Sequence, residues 1–243
     1  MLKTHLRAAL DILYPKNCLL CKHPLPEDSR TDLLCCACWP ESGKNVPPFC
    51  LRCGGHLKRH EIQNEVCSSC CKKQFAFNRS WSAFRYDGTI KELIHLFKYK
   101  NKTALRFIFG KLLADFINEY HIPMSSFDIV IPVPLHPTRL REREYNQTDM
   151  LARELTRYFP LRLSTGNLMR IRQTQPQSSL EAKRKWDNVR GAFKLKNPKI
   201  FKDNSILIID DLFTTGATVS EIADVLATSG AEKSSVLTLA IAQ

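Results

Sequence analysis

The sequence predicts two unlike parts, a cysteine-rich N-terminal segment and an α/β body built on a parallel β-sheet. All ten cysteines fall before residue 72. After residue 79, short apolar runs alternate with segments whose apolar residues recur at helical spacing. Strands that are apolar throughout and alternate with helices are typical of a parallel sheet that helices cover on both faces.

Length and composition narrow the class of protein. The 243 residues are 44% hydrophobic, which is enough apolar material for a substantial core. No apolar run approaches the about 20 residues that a membrane helix needs. Charged residues, beginning with Lys3 and Arg7, interrupt the N-terminal stretch that a signal peptide would require. We therefore expect a cytoplasmic protein without a transmembrane segment, and its net charge of +12 makes it basic.

Eight of the ten cysteines form four pairs with two residues between the partners: Cys18 and Cys21, Cys35 and Cys38, Cys50 and Cys53, Cys67 and Cys70. Thirteen residues separate the first pair from the second and the third from the fourth, so the unit repeats after 32 residues. Such a pair directs both sulfurs at one ion, and four thiolates close the tetrahedron of a structural zinc site. The sequence therefore predicts two zinc ribbons whose metal supports folding.

The spacing leaves other arrangements open. One metal with several free thiols is an alternative, and so is a pairing crossed between the two halves. Cys36 and Cys71 each follow a paired cysteine; either could replace its neighbour as a ligand, but both are interpreted as spare thiols. The resulting division is a helix in residues 1–15, a double zinc ribbon in 16–75 and the α/β body in 80–243. The N-terminal helix is expected to pack on the body, with a membrane-surface helix as the alternative.

The order of elements in the body follows from periodicity and turn signals. Strands are expected at residues 80–86, 127–133, 161–163, 168–171, 205–209 and 235–242. Helices are expected within 89–120, as one or two segments, and at 147–158 and 218–229. Basic residues are expected on the polar face of the first helical region: Lys91, Lys98, Lys100, Lys102 and Arg106.

The strongest functional signal follows the apolar run at 205–209. Two acids, Asp210 and Asp211, come first and can accept hydrogen bonds from a vicinal diol. The short loop after them can hold a phosphate through its amides, its hydroxyls and the following helix N-terminus. The loop residues are Thr214, Thr215, Gly216, Ala217 and Thr218. The sequence thus predicts a ribose 5-phosphate site, and the plainer alternative is a capped helix after a strand.

Two further segments carry candidate residues. A proline-rich stretch at 132–137 leads into three alternating arginines, which could present cations to a pyrophosphate or a nucleic-acid backbone; a solvated charged loop is the alternative. The polar segment from residue 168 onwards suits a mobile loop that closes over a ligand. The candidates are Arg139, Arg141 and Arg143 in the first segment, and Arg170, Thr174 and Gln177 in the second.

The stretch from Ile206 to Thr218 resembles the phosphoribosyl pyrophosphate (PRPP) signature of the type I phosphoribosyltransferases. The resemblance implies a type I phosphoribosyltransferase-like fold. It also implies that Asp210 and Asp211 hold the ribose hydroxyls, directly or through Mg²⁺, and that residues 214–218 hold the 5-phosphate. Enzymes that salvage 6-oxopurines carry an acid at the position of Thr214, so that activity is not expected.

Nearly the whole chain resembles the ComF family, which includes the ComFC and GntX proteins. The motifs are the cysteine pairs, Phe97-Lys98-Tyr99, the 132–137 stretch with its arginines and Asn146-Gln147, Asn188 with Gly191-Ala192-Phe193, and the PRPP loop. Glu144 departs from the family, whose members usually carry glycine there. The resemblance implies PRPP binding and a role in natural transformation. Expected partners are single-stranded DNA at the cytoplasmic face of the membrane and a competence protein such as a helicase.

Three functions follow as hypotheses. The first is a Mg²⁺-dependent phosphoribosyltransferase with an unidentified acceptor, because the acids, threonines and arginines suit chemistry at an anomeric carbon. The second is a PRPP sensor or DNA-binding protein without turnover, since basic charge and aromatic residues suit single strands. The third is a zinc-ribbon module that recruits the body to a protein partner.

Overall fold

A computed structural model describes residues 16–26, 29, 31–40, 43–174 and 182–242. The helix predicted in residues 1–15 lies outside the described residues, and so does Gln177 of the predicted mobile loop. Within the described ranges, no helix has the length and apolar composition that crossing a membrane requires.

The central sheet has five strands, in the spatial order β1-β7-β6-β2-β3, and every pairing in it is parallel. Its strands are β1 (Arg79–Arg85), β2 (Ile129–Pro132), β3 (Arg162–Leu163), β6 (Ser205–Phe213) and β7 (Lys233–Ile241). The strand predicted at 168–171 exists as β4 (Leu168–Arg170), but it pairs antiparallel with β5 (Phe193–Leu195) in a separate ribbon. The predicted α/β class with a parallel sheet is confirmed.

Six α-helices connect these strands in the described residues: α1 (Gly88–Tyr99), α2 (Leu105–Glu119), α3 (Pro137–Arg143), α4 (Gln147–Tyr158), α5 (Ala182–Val189) and α6 (Ala217–Thr228). Short 3₁₀ segments occur at Cys36–Cys38, Arg59–Asn64, Met124–Ser126 and Pro198–Phe201. The helical region predicted at 89–120 thus divides into two helices. The arginine segment forms a helix, which the sequence analysis did not predict.

Side chains of β6 alternate between the two faces of the sheet, as a pleated strand requires. Leu207 and Ile209 belong to the core cluster that also contains the apolar residues of α1, α2 and α4. Ile206 and Ile208 belong to a second cluster, together with the apolar residues of α6. All four are fully buried, which explains why this strand reads as a continuous apolar run.

The cysteine-rich segment packs directly against β1. The buried Asn45 side chain donates hydrogen bonds to the carbonyl oxygens of Gly54, at 2.6 Å, and Ser82, at 2.7 Å. Gly54 has a φ of +72°, and a Cβ there would lie 2.5 Å from the carbonyl oxygen of Ser80. Only glycine fits this close approach, so the backbone of the second ribbon lies against the edge strand of the sheet.

Candidate functional site

The structure brings the eight paired cysteines together in two groups of four. Within each group the sulfur atoms lie within 4.8 Å of one another. The Cys21 and Cys35 sulfurs are 3.6 Å apart, and those of Cys53 and Cys67 are 3.8 Å apart. Tetrahedral zinc with bonds of about 2.3 Å holds its sulfurs about 3.8 Å apart, so the donor sets fit structural zinc. The groups are Cys18, Cys21, Cys35 and Cys38, and Cys50, Cys53, Cys67 and Cys70.

This grouping follows the sequence repeat rather than a crossed pairing. Cys36 and Cys71, interpreted as spare thiols, are exposed and belong to neither group. In the first group, burial alone would raise the pKa of Cys18, but backbone N–H groups of Cys35 and Cys21 lower it to about 6. In the second group, the adjacent Cys53 thiol lowers the pKa of Cys67 to about 7. The pKa values of Cys21, Cys38, Cys53 and Cys70 are raised, by burial and by hydrogen bonds between neighbouring sulfurs. Thiolates are the form that binds metal, so zinc binding would displace the protons that these thiols retain.

The PRPP-like loop lies at one wall of a cavity of about 430 Å³ at the carboxyl ends of β2 and β6. Parallel α/β sheets bind ligands at this edge, and the volume is within the range of small-molecule sites. Most of the predicted site residues meet here. The cavity is lined by Asp210, Asp211, Thr214, Thr218, Arg139, Arg143, Arg170 and Thr174, together with Lys98, Tyr99, His136, Gln147 and neighbouring residues.

The two acids occupy different environments because the strand continues through them. The apolar run predicted a strand that ends at Ile209, but β6 extends to Phe213. Successive side chains along it therefore point to opposite faces. Asp210 remains half-buried in the cavity wall, whereas Asp211 is only 4% exposed. Burial raises the pKa of Asp210 to about 7, and the neighbouring Asp211 charge adds to the shift.

Lys98 pairs with the buried acid. Its ammonium nitrogen lies 2.8 Å from Asp211 Oδ1, although the sequence analysis placed Lys98 on the polar face of α1. On the other side, the side-chain amide of Gln147 donates to Asp211 Oδ2 at 3.0 Å. Burial alone would lower the pKa of Lys98, but the Asp211 carboxylate outweighs burial and raises it. The sequence assigned neither Lys98 nor Gln147 a role at the site, because no pattern along the chain shows that they meet at Asp211.

The loop at residues 214–218 turns sharply into α6. Gly216 has a φ of +80° and is the N-cap of the helix, and a Cβ there would lie 2.6 Å from the Phe75 ring. Thr214 and Thr218 line the cavity, whereas the Thr215 hydroxyl accepts a hydrogen bond from Ala217 N at 3.4 Å within the loop. The loop therefore offers the cavity two of its three hydroxyl groups, beside the helix N-terminus.

Helix α3 separates the three arginines. Arg139 and Arg143 are four residues apart, so they lie on one helix face and line the cavity. Arg141 is two residues from each, is exposed and is not among the residues that line the cavity. Two of the three predicted cations therefore reach the site. The helix ends at Glu144, whose φ of +66° is the left-handed conformation that glycine adopts readily.

Arg170 closes the cavity from the β4–β5 ribbon. Its guanidinium lies 5.4 Å from the centre of the Phe193 ring and donates a hydrogen bond to the Thr174 hydroxyl. Burial lowers its pKa, and the nearby Asp210 charge opposes that shift. The ordered ribbon thus holds the described part of the predicted mobile segment against the cavity.

An aromatic residue stands at the rim of the cavity. The Tyr99 side chain is 57% exposed. The Arg143 guanidinium lies 4.8 Å from the centre of its ring, and the His95 ring lies 4.9 Å from it. A flat cation on an exposed aromatic ring is an arrangement that can stack with a base.

Comparison with known proteins identifies relatives along both parts of the chain. Residues 9–73 match the family described as Double zinc ribbon domain. The chain is 29% identical over 200 residues to Competence protein F of Haemophilus influenzae, and the aligned region covers 79% of this chain and 84% of that protein. It is 28% identical over 221 residues to DNA utilization protein YhgH of Escherichia coli, covering 89% and 93%. It is 26% identical over 230 residues to Competence protein ComFC of Bacillus subtilis, covering 88% and 89%.

These relatives agree with the architecture. The double zinc ribbon accounts for both cysteine clusters, and the relatives extend through the body that carries the cavity. The comparisons thus support the resemblance of the chain to the ComF family.

Proposed function

We propose that this protein binds PRPP in the cavity at the carboxyl ends of β2 and β6 and acts in competence, in the handling of DNA. The observation that carries the proposal is that unlike groups line one cavity. They are the side chains of Thr214 and Thr218, the Asp210 carboxylate, and the guanidinium groups of Arg139, Arg143 and Arg170. A sugar that carries a phosphate at one end and a pyrophosphate at the other needs this combination of partners.

Each part of the ligand has a proposed partner. The 5-phosphate would lie against the 214–218 loop, where the helix N-terminus favours an anion. The pentose would contact Asp210, and the pyrophosphate would meet Arg139 and Arg143, whose guanidinium groups match phosphate geometry. Arg170 would cover the bound ligand. Arg141 has no part in this assignment because it lies on the other face of α3.

Magnesium fits the donor set of the cavity. Mg²⁺ prefers carboxylate and phosphate oxygens and retains several waters. Asp210 is a carboxylate at the cavity wall. Within the described ranges, its side chain accepts a hydrogen bond from Asp211 N at 2.9 Å, so protein groups compete little with a metal ion for its oxygens. The ion, bound with PRPP, would offset charge on the departing pyrophosphate.

We further propose phosphoribosyl transfer as the reaction that this site could support. The bond between the anomeric carbon and the pyrophosphate oxygen would break as the acceptor bonds to that carbon, and pyrophosphate would carry away the electron pair. Fixed cations near the leaving group lower the barrier because they need no reorganisation. Binding without turnover, as in a PRPP sensor, uses the same residues up to this step.

The competence role rests on the relatives and on the rim of the cavity. Two of these relatives are named competence proteins, and the third is named a DNA utilization protein. In this chain, Tyr99 with Arg143 provides an exposed stacking surface beside phosphate-binding cations. We propose that single-stranded DNA contacts this rim, and that zinc ribbons in residues 16–75 support the body in residues 80–243.

Calorimetry with PRPP and Mg²⁺ tests the ligand assignment. The wild-type protein should bind PRPP, and Asp210→Ala should weaken binding at least tenfold. Arg141→Ala is the matched control, since its side chain points away from the cavity. Undiminished affinity of Asp210→Ala would contradict the assignment. Release of pyrophosphate, measured with candidate acceptors that include DNA, then separates an enzyme from a sensor.

A further inference from the structure

The Gln147 side chain leaves a hydrogen-bond acceptor unpaired in the wall of the cavity. Gln147 is 4% exposed and lines the cavity. Its Nε2 donates to Asp211 Oδ2 at 3.0 Å, whereas its buried Oε1 has no hydrogen-bond partner in the described structure. Buried acceptors in native proteins nearly always have partners, so this atom points to a donor that arrives with the ligand.

The orientation of this amide follows from its neighbour. Asp211 accepts hydrogen bonds only, so the Gln147 NH₂ group must face it; the opposite orientation would place two oxygen acceptors against each other. Lys98 occupies the other carboxylate oxygen at 2.8 Å. Asp211 therefore fixes which end of Gln147 meets the ligand.

Helix α4 holds Gln147 rigidly in this position. Asn146, its N-cap, accepts a hydrogen bond from Thr148 N, and its own amide donates to the Val133 carbonyl oxygen at 3.1 Å. The Thr148 hydroxyl donates to the same carbonyl oxygen at 2.6 Å. These bonds tie the first turn of α4 to the end of β2. The rigid turn therefore fixes where Gln147 lies, and Asp211 decides which end of its amide faces the cavity.

We propose that Gln147 Oε1 accepts a hydrogen bond from a pentose hydroxyl of the ligand, and that Asp211 is a positioning residue acting through Gln147 rather than a second contact to the sugar. The inference rests on the proposed phosphosugar site and assigns its two acids unequal roles. Asp210 contacts the ligand, and Asp211 orients the amide. The site would then select a sugar with free ring hydroxyls.

This arrangement predicts a specific effect of Asp211→Asn. Lys98 only donates hydrogen bonds, so the introduced amide would turn its oxygen to Lys98 and its NH₂ group to Gln147. Gln147 would then rotate to accept from that NH₂ group and present a donor to the cavity. A conservative change at a residue that does not touch the ligand would thus invert the hydrogen-bonding character of one that does.

Calorimetry with ribose 5-phosphate, in EDTA and again with Mg²⁺, tests the proposal, with inorganic phosphate as the second probe. Gln147→Met should weaken ribose 5-phosphate about tenfold, the scale of one hydrogen bond, and leave phosphate affinity unchanged. Asp211→Asn should do the same. The double variant should be no weaker than either single one, because both remove the same contact. Gln63→Met, at an exposed position in the second ribbon, is the control.

Several results would overturn the proposal. An about hundredfold loss in the double variant would show that Asp211 contacts the sugar independently. A loss seen only with Mg²⁺ would assign Gln147 to a metal-bound water, and full affinity in Gln147→Met would remove its role. If wild type binds PRPP while these variants are unaffected, only this inference fails; if wild type binds neither PRPP nor ribose 5-phosphate, the proposed function fails with it.

A second measurement covers variants that do not fold. Wild type should then be titrated with 2-deoxyribose 5-phosphate and 3-deoxyribose 5-phosphate. At least one should bind about tenfold more weakly than ribose 5-phosphate, and equal affinity for all three would overturn the proposal.

Discussion

Replacing Lys98 with methionine should destabilise the fold strongly, because it leaves the Asp211 charge buried without its cation. The Lys98 and Asp211 side chains are 14% and 5% exposed, and the charged atoms are 2.8 Å apart. Removing one partner of such a pair costs about 3–5 kcal/mol. Each kcal/mol lowers the melting temperature of a chain of this size by about 2–4 °C. The expected decrease is therefore about 6–20 °C, measured by differential scanning calorimetry at pH 7.5.

Two further variants isolate the effect of charge. Lys91→Met changes an exposed lysine of the same helix and should alter stability by less than about 0.5 kcal/mol. Asp211→Asn added to Lys98→Met removes the uncompensated charge, so it should recover part of the loss. A decrease below about 1 kcal/mol for Lys98→Met, or no recovery in the double variant, would refute the argument that this buried pair stabilises the fold.

The pH dependence of the same pair has a definite sign. Asp211 raises the pKa of Lys98 above its ordinary value of 10.5, against the effect of burial. A raised lysine pKa contributes stability that is complete below the unfolded value and is lost as the pH rises through the folded value. The stability gap between wild type and Lys98→Met should therefore be constant from pH 7 to 9 and narrow above pH 10.5, which urea unfolding can measure.

Further predictions concern the metal sites, a helix end and the rim. Wild type should contain about two zinc ions per chain by metal analysis, and Cys53→Ser about one, since each cluster needs four thiolates; unchanged content would contradict the grouping. Glu144→Gly should raise unfolding free energy by about 0.5–1 kcal/mol, because glycine relieves a left-handed residue, and lower stability would contradict this. Arg143→Ala should weaken single-stranded DNA binding and its salt dependence more than Arg141→Ala; equal effects in filter binding would contradict the rim assignment.

Much of the fold could be predicted because burial leaves a periodic record in the chain. Ile206 to Ile209 are apolar without interruption since helices cover both faces of the strand. The repeat of the cysteine pairs likewise predicted two zinc ribbons. The β4–β5 ribbon was harder, because a strand of three residues carries no period and its partner lies more than twenty residues later.

The site was only partly predictable because its residues meet through tertiary structure. The acids and threonines of the 210–218 stretch are adjacent in sequence, so their position at a common site could be predicted. Alternation of Arg139, Arg141 and Arg143 suggested a single basic surface, but a helix turns 100° per residue and sends the middle one away. The chain distance of more than a hundred residues between Lys98 and Asp211 concealed their pairing.

The packing of Phe75 on Gly216 makes the two parts of the chain inseparable in practice. Phe75 follows the last cysteine pair, and Ala76 N donates to the Ser220 hydroxyl of α6 at 3.0 Å. The turn at Gly216, to which we assign the 5-phosphate, therefore rests on the Phe75 ring, which directly follows the cysteine-rich segment. A fragment trimmed to begin at the first strand would lose that ring, so recombinant work on the pocket should keep the ribbons and supply zinc during expression.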